Sequence, residues 1–273
     1  MSLLDYHNFT SVGEGEPTLL FTHGFGCNKS MFRDQKEHFA GDYRVVLYDL
    51  AGSNETNSAS FRKDKYQSLQ GYADDLTVLI EEADLGAVVH IGHSVGATIG
   101  VLAANKRPDL FLGQVLIGPS PRYINEADYY GGFTAQDIDE LLGMMGDNYL
   151  GWSAQTAPAI MGNAERPELG DTLTNSFCQM DPEIAALFAR VTFLSDNRKD
   201  LKEVSIPTLI LQTDEDILAP EVVGRYVHEQ IAGSEFVLLE ARGHCPHISA
   251  PAATNAAIRK FISQLQLPVS EFA

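Results

Sequence analysis

Short apolar segments alternate with amphipathic segments along most of this sequence, and no other feature restricts the fold as strongly. The apolar segments are rich in Val, Ile and Leu and end at Gly, Pro or charged residues, which is typical of short β-strands. Because they are apolar almost throughout, they suit a sheet with both faces covered, and such sheets are usually parallel. The predicted strands span residues 18–23, 43–49, 87–92, 114–118, 207–212 and 235–240.

Amphipathic helices are predicted between these strands. In 66–84, the apolar residues Tyr72, Leu76 and Ile80 recur at helical spacing, and acidic residues occupy other positions. Strands and helices in alternation predict an α/β fold, with a doubly wound, mostly parallel sheet and helices on both faces. The other predicted helices span 95–106, 220–231 and 251–265.

One long segment, residues 122–197, lacks any strand pattern. It lies between the predicted strands at 114–118 and 207–212 and shows only helical patterns. We therefore expect a four-helix cap, or lid, inserted into a core made of residues 1–121 and 198–273. A cap of this kind commonly excludes water from a site beneath it. The helical patterns in it span 134–145, 147–161, 167–179 and 182–193.

The chain is strongly acidic. With 37 Asp and Glu residues against 19 Lys and Arg among 273 residues, its formal net charge is −18. A surface of this sign repels nucleic acids and anionic membranes, so neither is an expected partner. No apolar run approaches the ~20 residues of a membrane-spanning helix. The N-terminus lacks the basic and apolar regions of a secretory signal, and we therefore expect a cytoplasmic protein.

The cysteines Cys27, Cys178 and Cys245 are odd in number and show no CxxC spacing. This pattern disfavours a disulfide framework or a zinc cluster. We expect small buried thiols in a reducing compartment. A reactive thiol at Cys27 or Cys245 is the alternative, because both lie beside residues with predicted roles in a site.

A candidate nucleophile, Ser94, lies in the segment Gly92-His93-Ser94-Val95-Gly96. The segment follows a predicted strand and precedes a predicted helix, which is the context of a nucleophile elbow. In that tight turn the serine takes a strained backbone conformation, and small residues are needed two positions before and after it. The helix N-terminus after it favours a developing negative charge.

The sequence contains eight histidines, and histidine is the usual general base for a serine nucleophile. His244 lies in a loop directly after the final predicted strand, at the sheet edge where reactive groups converge in such folds. His247 in the same loop is a weaker competitor, whereas His90 and His93 are expected to be structural. Just past the strand 207–212, Asp214 and Asp216 are both candidates for the acid that orients the base.

The oxyanion hole requires two N–H donors. One donor is expected at Val95, directly after the nucleophile, and the other at Phe25 in the loop after an early strand. His23 is expected to shape that loop. The sequence shows no metal-ligand constellation, and no cofactor is expected.

These residues stand in longer motifs that together resemble the α/β-hydrolase family. The resemblance extends over nearly the whole chain. Within the family, the motifs more specifically resemble the branch that contains the bacterial stress regulator RsbQ and the plant karrikin and strigolactone receptors. It implies a triad of Ser94, Asp216 and His244, and thus favours Asp216 over Asp214. The motifs are "THGFGCNKSMF", "VHIGHSVGATIG", "SPRYIN", "YYGGF", "LQTDEDILAP" and "EARGHCPHIS".

The resemblance also implies oxyanion donors at Phe25 and Val95 and a cap over a small apolar pocket. Phe133, Trp152 and Phe193 are expected to line that pocket. The implied activity is a carboxylesterase-type serine hydrolase, with a small apolar ester or lactone-like compound as substrate.

Other functions remain open at this point. An RsbQ-like signalling protein would bind and slowly hydrolyse a hydrophobic small molecule and would act on a phosphatase partner with a sensor domain. A cofactor-free perhydrolase uses the same triad. Dehalogenases and epoxide hydrolases are disfavoured, because they need Asp at the position of Ser94.

Overall fold

The computed structural model describes residues 2–266, and its centre is a seven-stranded sheet. The strands lie in the order β1-β3-β2-β4-β5-β6-β7. Only β1 is antiparallel to its neighbour, and the other strands are parallel. The mostly parallel sheet predicted from the apolar segments is therefore confirmed. The strands are β1 (Thr10–Val12), β2 (Leu19–Thr22), β3 (Val45–Leu47), β4 (Val88–His93), β5 (Phe111–Ile117), β6 (Thr208–Glu215) and β7 (Glu235–Arg242).

Helices cover both faces of this sheet. The small-residue helix predicted at 95–106 has these bounds in the structure, and the other predicted core helices agree within a few residues. The core helices are α1 (Leu3–Tyr6), α2 (Arg33–Phe39), α3 (Glu55–Ser58), α4 (Leu69–Glu82), α5 (Val95–Lys106), α10 (Glu221–Gln230), α11 (Pro246–Ser249) and α12 (Pro251–Gln264). Short 3₁₀ turns occur at Lys29–Phe32, Pro108–Leu110 and Asp200–Glu203.

Each sheet face packs against its own set of helices, as the continuous apolar strands require. On one face, Phe21 and Ile91 of the central strands pack in one cluster with Phe261 of α12. On the other face, Leu20 packs in a second cluster with residues of α4 such as Leu76. Both faces of the central strands are thus buried, and the functional groups are restricted to the strand ends.

Four helices follow β5 and precede β6, and we call them the inserted helices. The first begins at a capping box, in which Thr134 Oγ1 accepts from the Asp137 N–H and the Asp137 carboxylate accepts from the Thr134 N–H. The last begins after Asp181, whose carboxylate accepts from two N–H groups of the first turn. The inserted helices are α6 (Ala135–Asp147), α7 (Tyr149–Met161), α8 (Pro167–Phe177) and α9 (Pro182–Phe193).

The chain enters and leaves this insertion at adjacent points. The Asn197 N–H donates to the Pro121 carbonyl at 2.8 Å, near the boundary expected between the core and the insertion. Midway along the inserted segment, the Ile160 carbonyl of α7 accepts from the His244 N–H at 2.9 Å. The inserted helices are therefore fixed to the core both at their base and beside the loop after β7.

The structure contains elements that the periodicity did not predict. The edge strand β1 is only three residues long, and its pairing comes from β3 rather than from an apolar run of its own. The short helices α1, α2, α3 and α11 were also missed. None of these elements changes the edge where β4, β6 and β7 end.

Candidate active site

Ser94 lies at the sharp turn between β4 and α5. Its backbone has φ 55° and ψ −123°, a conformation that L residues seldom adopt. The Ser94 N–H donates to the Ile117 carbonyl at the end of β5 at 2.8 Å, which helps to hold this geometry. Strain of this kind persists only where the surroundings impose it and is common at functional sites.

The two glycines that flank the serine permit this turn. A Cβ on Gly92 would lie 2.5 Å from the Gly96 carbonyl oxygen and 2.6 Å from the Ala97 nitrogen. A Cβ on Gly96 would meet backbone oxygens of Thr22 and His23, the latter at 2.6 Å. Any side chain at either position would push the helix away from the sheet, so the spacing of the glycines follows from the close packing of the turn.

His244 and Asp216 form a buried pair at the same sheet edge. His244 Nδ1 donates to Asp216 Oδ2 at 2.6 Å, and both side chains are almost fully buried. The other oxygen of Asp216 accepts from the N–H groups of Leu218 at 2.8 Å and Ala219 at 3.0 Å. Each carboxylate oxygen thus has a defined partner. Asp214 is exposed at the end of β6, so the geometry favours Asp216.

His244 lines the cavity that Ser94 also lines, and Nε2 is the imidazole nitrogen that does not contact Asp216. Because Nδ1 donates to a carboxylate, Nε2 carries the lone pair that a general base needs. Within residues 2–266, Nε2 is buried and has no hydrogen-bond partner. In the absence of substrate, the hydrogen bond between a catalytic base and its nucleophile is often long, and it shortens only when a substrate binds.

The main chain of His244 is held from two sides. Besides the bond from its N–H to α7, its carbonyl oxygen accepts from His93 Nε2 at 2.8 Å. Burial keeps the pKa of His93 well below its ordinary value, so the ring is neutral. To donate to a carbonyl, the neutral ring must carry its single proton on Nε2. His93 therefore links the elbow to the loop of His244, a specific form of the structural role expected for it.

The other histidines named from the sequence are structural in their contacts. His90 Nε2 bonds Thr22 Oγ1 inside the sheet at 2.8 Å, and burial lowers its pKa to about 3. His247 is also fully buried with a pKa lowered to about 3, and its ring packs against Phe32 and not in the cavity. His23 accepts the Leu50 N–H at 2.9 Å and bonds the Gly24 carbonyl, which shapes the loop after β2.

The two expected oxyanion donors lie in the segments that follow β4 and β2. Val95 is the first residue of α5, where N–H groups have no partner within the helix. Phe25 follows β2 and lines the cavity. In the described part of the chain, neither N–H donates a hydrogen bond.

Tyr123 is a cavity residue that the sequence did not indicate. Burial raises the pKa of its hydroxyl to about 12, and the nearby Ser94 side chain opposes this shift in part. The hydroxyl is therefore protonated at neutral pH and lies beside the candidate nucleophile. Position alone gave no signal for it, because it lies in the irregular segment before the inserted helices.

The cavity itself is small and mostly apolar. Its volume is about 20 Å³, enough for about one water molecule. Trp152 and Phe177 stack at 5.7 Å on one wall, and Phe25 packs edge-on against Phe177. Two larger hollows, of about 540 and 640 Å³, are open surface grooves that contain no triad candidate. The cavity residues are Phe25, Cys27, His93, Ser94, Tyr123, Trp152, Ile160, Leu173, Phe177, Thr192, Phe193, Leu218, His244 and Cys245.

Two of the three expected pocket residues, Trp152 and Phe193, line this cavity, and Phe133 does not. Phe133 is half-buried before α6, where its N–H donates to the Tyr123 carbonyl and its carbonyl accepts from the Asn125 N–H. These backbone bonds hold it at the base of the insertion. The Phe133 expectation therefore differs from the structure.

The cysteines are all free thiols. Cys27 and Cys245 are buried in the cavity wall, and Cys178 is exposed. Burial raises the pKa of Cys27 to about 12 and that of Cys245 well above its ordinary value. Thiols of this kind are poor nucleophiles at neutral pH.

Two further features concern ligands and membranes. In residues 2–266, no cluster of three or more His, Cys, Asp or Glu side chains has the arrangement of a metal site. Over the same residues, no helix has the length and apolar character needed to cross a membrane.

The sheet, the elbow and the order Ser94, Asp216, His244 define the class of α/β hydrolases. The chain belongs to the alpha/beta hydrolase family, whose sequence profile matches residues 19–257. A hydrolase from Oleispira antarctica superposes with a TM-score of 0.93 at 37% identity, over 96% of this chain and 97% of that one.

Two plant relatives belong to the branch predicted from the motifs. The karrikin insensitive 2 receptor CA of Petunia hybrida is 38% identical over 90% of this chain and 91% of its own length. The strigolactone esterase D14 of Arabidopsis thaliana is 35% identical over 95% of this chain and 97% of its own length. The predicted similarity to the plant karrikin and strigolactone receptors is confirmed.

Proposed function

We propose that this protein is a carboxylesterase-type serine hydrolase that cleaves small, largely apolar esters, including lactones. The observation that carries the proposal is the buried His244–Asp216 pair, with 2.6 Å between Nδ1 and Oδ2, in which His244 lines the same cavity as Ser94. A strained serine, a base and an oriented acid are the groups that acyl transfer through serine requires.

In the first half of the reaction, Ser94 Oγ attacks the ester carbonyl carbon. His244 Nε2 takes the hydroxyl proton, and Asp216 stabilises the resulting imidazolium. The tetrahedral intermediate then collapses, the C–O bond to the alcohol breaks, and His244 returns its proton to the leaving oxygen. In the second half, His244 deprotonates a water that attacks the acyl carbon; the bond to Ser94 Oγ then breaks, His244 returns the proton to Oγ, and the carboxylic acid leaves.

The negative charge on the tetrahedral oxygen needs fixed donors. Within residues 2–266 the N–H groups of Phe25 and Val95 make no hydrogen bond, and we propose that they are these donors, with a favourable dipole from the N-terminus of α5. Removing one such donor typically costs ~10²–10³ in kcat.

The cavity supports a small substrate with apolar groups. Its walls include aromatic side chains from the core and from the inserted helices. We propose that the inserted helices act as a lid over the core, which is made of residues 1–121 and 198–273. A volume of about 20 Å³ is too small for an ester, so substrate entry requires cavity side chains or the inserted helices to move.

The test is a panel of p-nitrophenyl esters, from acetate to decanoate, with wild type and Ser94→Ala. We expect steady turnover that is highest for short chains and is lost in Ser94→Ala. Hydrolysis of equal rate in Ser94→Ala would exclude the proposed nucleophile.

A second candidate is a small-molecule receptor, and two observations favour it. Relatives of this chain carry the name karrikin insensitive 2 receptor, and the His244 N–H bonds Ile160 of the inserted helices, so a cavity ligand is linked to helix position. The receptor would hydrolyse its ligand slowly and act on a phosphatase partner with a sensor domain. A single burst without steady turnover, with ligand-dependent binding of a second protein, would favour this candidate.

Either function fits a reducing compartment. The three cysteines are free thiols, and two of them line the cavity. We therefore propose that the protein acts in the cytoplasm, where such thiols persist.

A further inference from the structure

The Thr192 hydroxyl is a buried polar group with no partner, and it lies in the wall of the active-site cavity. Thr192 belongs to α9 and is 2% exposed. Within residues 2–266, its Oγ1 has no hydrogen-bond partner. Buried hydroxyls are normally paired, and leaving one unpaired destabilises the fold. Such a group in a binding cavity points to a partner in the ligand.

Other hydroxyls in the inserted helices do not share this feature. Ser153 Oγ donates to the Tyr149 carbonyl at 2.8 Å, and Thr174 Oγ1 donates to the Gly170 carbonyl at 2.9 Å. Both bonds join a residue to the carbonyl four positions earlier, the usual solution for a helical hydroxyl. Thr192 is also helical, yet its hydroxyl makes no such bond, and the residue lines the cavity.

Thr192 lines the same cavity as Ser94 and His244. The next residue, Phe193, packs against Tyr123 at 4.9 Å and against Phe25 at 6.0 Å. Phe25 carries one of the two proposed oxyanion donors. Thr192 therefore belongs to the part of the cavity wall that α9 contributes, and it is the chain neighbour of a residue that packs against Phe25.

We propose that the Thr192 hydroxyl donates a hydrogen bond to a second oxygen of the substrate, outside the ester group that is cleaved. The preferred substrate is then a small ester or lactone that carries an additional ether, carbonyl or hydroxyl oxygen on an otherwise apolar frame. This inference rests on the proposed hydrolase function and adds a determinant of specificity to it.

The energetic reason is that substrates with and without the additional oxygen differ in whether the Thr192 hydroxyl has a hydrogen-bond partner. Most of the wall is aromatic or aliphatic, so an additional substrate oxygen loses its water on entry and needs a protein donor. A substrate without that oxygen leaves Thr192 unpaired in a filled cavity. Sites with a dedicated hydrogen-bonding group discriminate against analogues that lack the matching atom.

The test uses matched esters that differ by one CH₂-to-oxygen replacement. One pair, p-nitrophenyl butanoate and p-nitrophenyl methoxyacetate, varies the acyl side, and the other, butyl acetate and methoxyethyl acetate, varies the alcohol side. The ratio of kcat/KM within each pair is measured for wild type and Thr192→Val, which keeps the β-branched shape. Comparing the ratios between proteins cancels the intrinsic reactivity of the esters.

We expect Thr192→Val to lower the preference for the ether ester ~3–10-fold in at least one pair, the range of one neutral hydrogen bond. Thr192→Ser keeps the hydroxyl and should keep the preference, and the control Thr174→Val should match wild type. The melting temperature of Thr192→Val should not fall, because no folded-state bond is lost. If Thr192→Val does not fold, Thr192→Ala provides the same comparison.

Equal ratios in wild type and the hydroxyl-free variants, in both pairs, would overturn this inference and leave the hydrolase function standing. That outcome would mean that Thr192 serves only a bound water or the lid itself. If wild type hydrolyses none of these esters, or if Ser94→Ala hydrolyses them equally fast, the proposed function fails and this inference fails with it.

Discussion

Replacing Asp216 by asparagine tests the role of the acid by a change of only one atom. The Asp216 Oδ1 oxygen accepts from the N–H groups of Leu218 and Ala219, and Oδ2 accepts from His244 Nδ1. An asparagine keeps the two backbone bonds only if its carbonyl oxygen takes the Oδ1 position. Turning the amide over would lose both bonds, at about 1 kcal/mol each, and would oppose N–H to N–H.

The backbone therefore sets the tautomer of the histidine in Asp216→Asn. The amide NH₂ must face His244 Nδ1, so Nδ1 becomes an acceptor and the proton moves to Nε2. A protonated Nε2 cannot take the proton of Ser94, and the buried imidazolium loses its counter-charge. We expect kcat to fall ~10⁴-fold, as for the wrong tautomer in other serine hydrolases, or about 5 kcal/mol in the barrier.

The assay is kcat for p-nitrophenyl acetate at pH 7 to 8, with the melting temperature measured in parallel. Asp214→Asn is the matched control, since Asp214 is exposed two residues earlier, and it should retain wild-type kcat. The reasoning would be refuted if folded Asp216→Asn kept kcat within tenfold of wild type, or if Asp214→Asn lost more activity than Asp216→Asn.

Three further predictions follow from buried contacts. His93→Gln removes the ring that donates to the His244 carbonyl at 2.8 Å, and we expect kcat to fall about tenfold with little change in KM; an unchanged kcat would contradict this role. Trp152→Ala enlarges the cavity, so the preferred acyl chain should lengthen in an ester panel while stability falls by about 3–5 kcal/mol; an unchanged chain preference would contradict the cavity assignment. Burial lowers the pKa of His90 and His247 to about 3, so the folded state favours their neutral forms. As pH falls below about 6.5 the unfolded state gains protons first, and urea unfolding should show stability falling by up to ~1.4 kcal/mol per pH unit for each histidine until about pH 3. If the free energy of unfolding changes with pH equally in wild type and His247→Gln, then His247 does not contribute to this pH dependence.

The sequence predicts the layout of the core because burial on both sheet faces demands continuous apolar strands. Periodicity finds the strands around Phe21 and Ile91 for this reason. It misses β1, since Thr10–Val12 has no apolar run and depends on pairing with β3. The formation of an edge strand as short as this depends on its partner strand and not on its own residues.

The candidate site is predictable only in part for a similar reason. Chain order narrows the acid to Asp214 or Asp216, but only folding shows that one is exposed and the other is paired with His244. Tyr123 and Thr192 reach the cavity from an irregular segment and from a helix. Their roles depend on which neighbours fail to satisfy a hydroxyl, and no sequence spacing encodes that.

The most direct test of the central claim is the mass of the intact protein after exposure to a fluorophosphonate, followed by peptide mapping of the adduct. Ser94 is the strained residue at the elbow, and the buried thiols Cys27 and Cys245 have raised pKa values. We predict one adduct per chain, located on Ser94, and none on Ser94→Ala. An unlabelled wild type, or an adduct on a cysteine or another serine, would contradict the account.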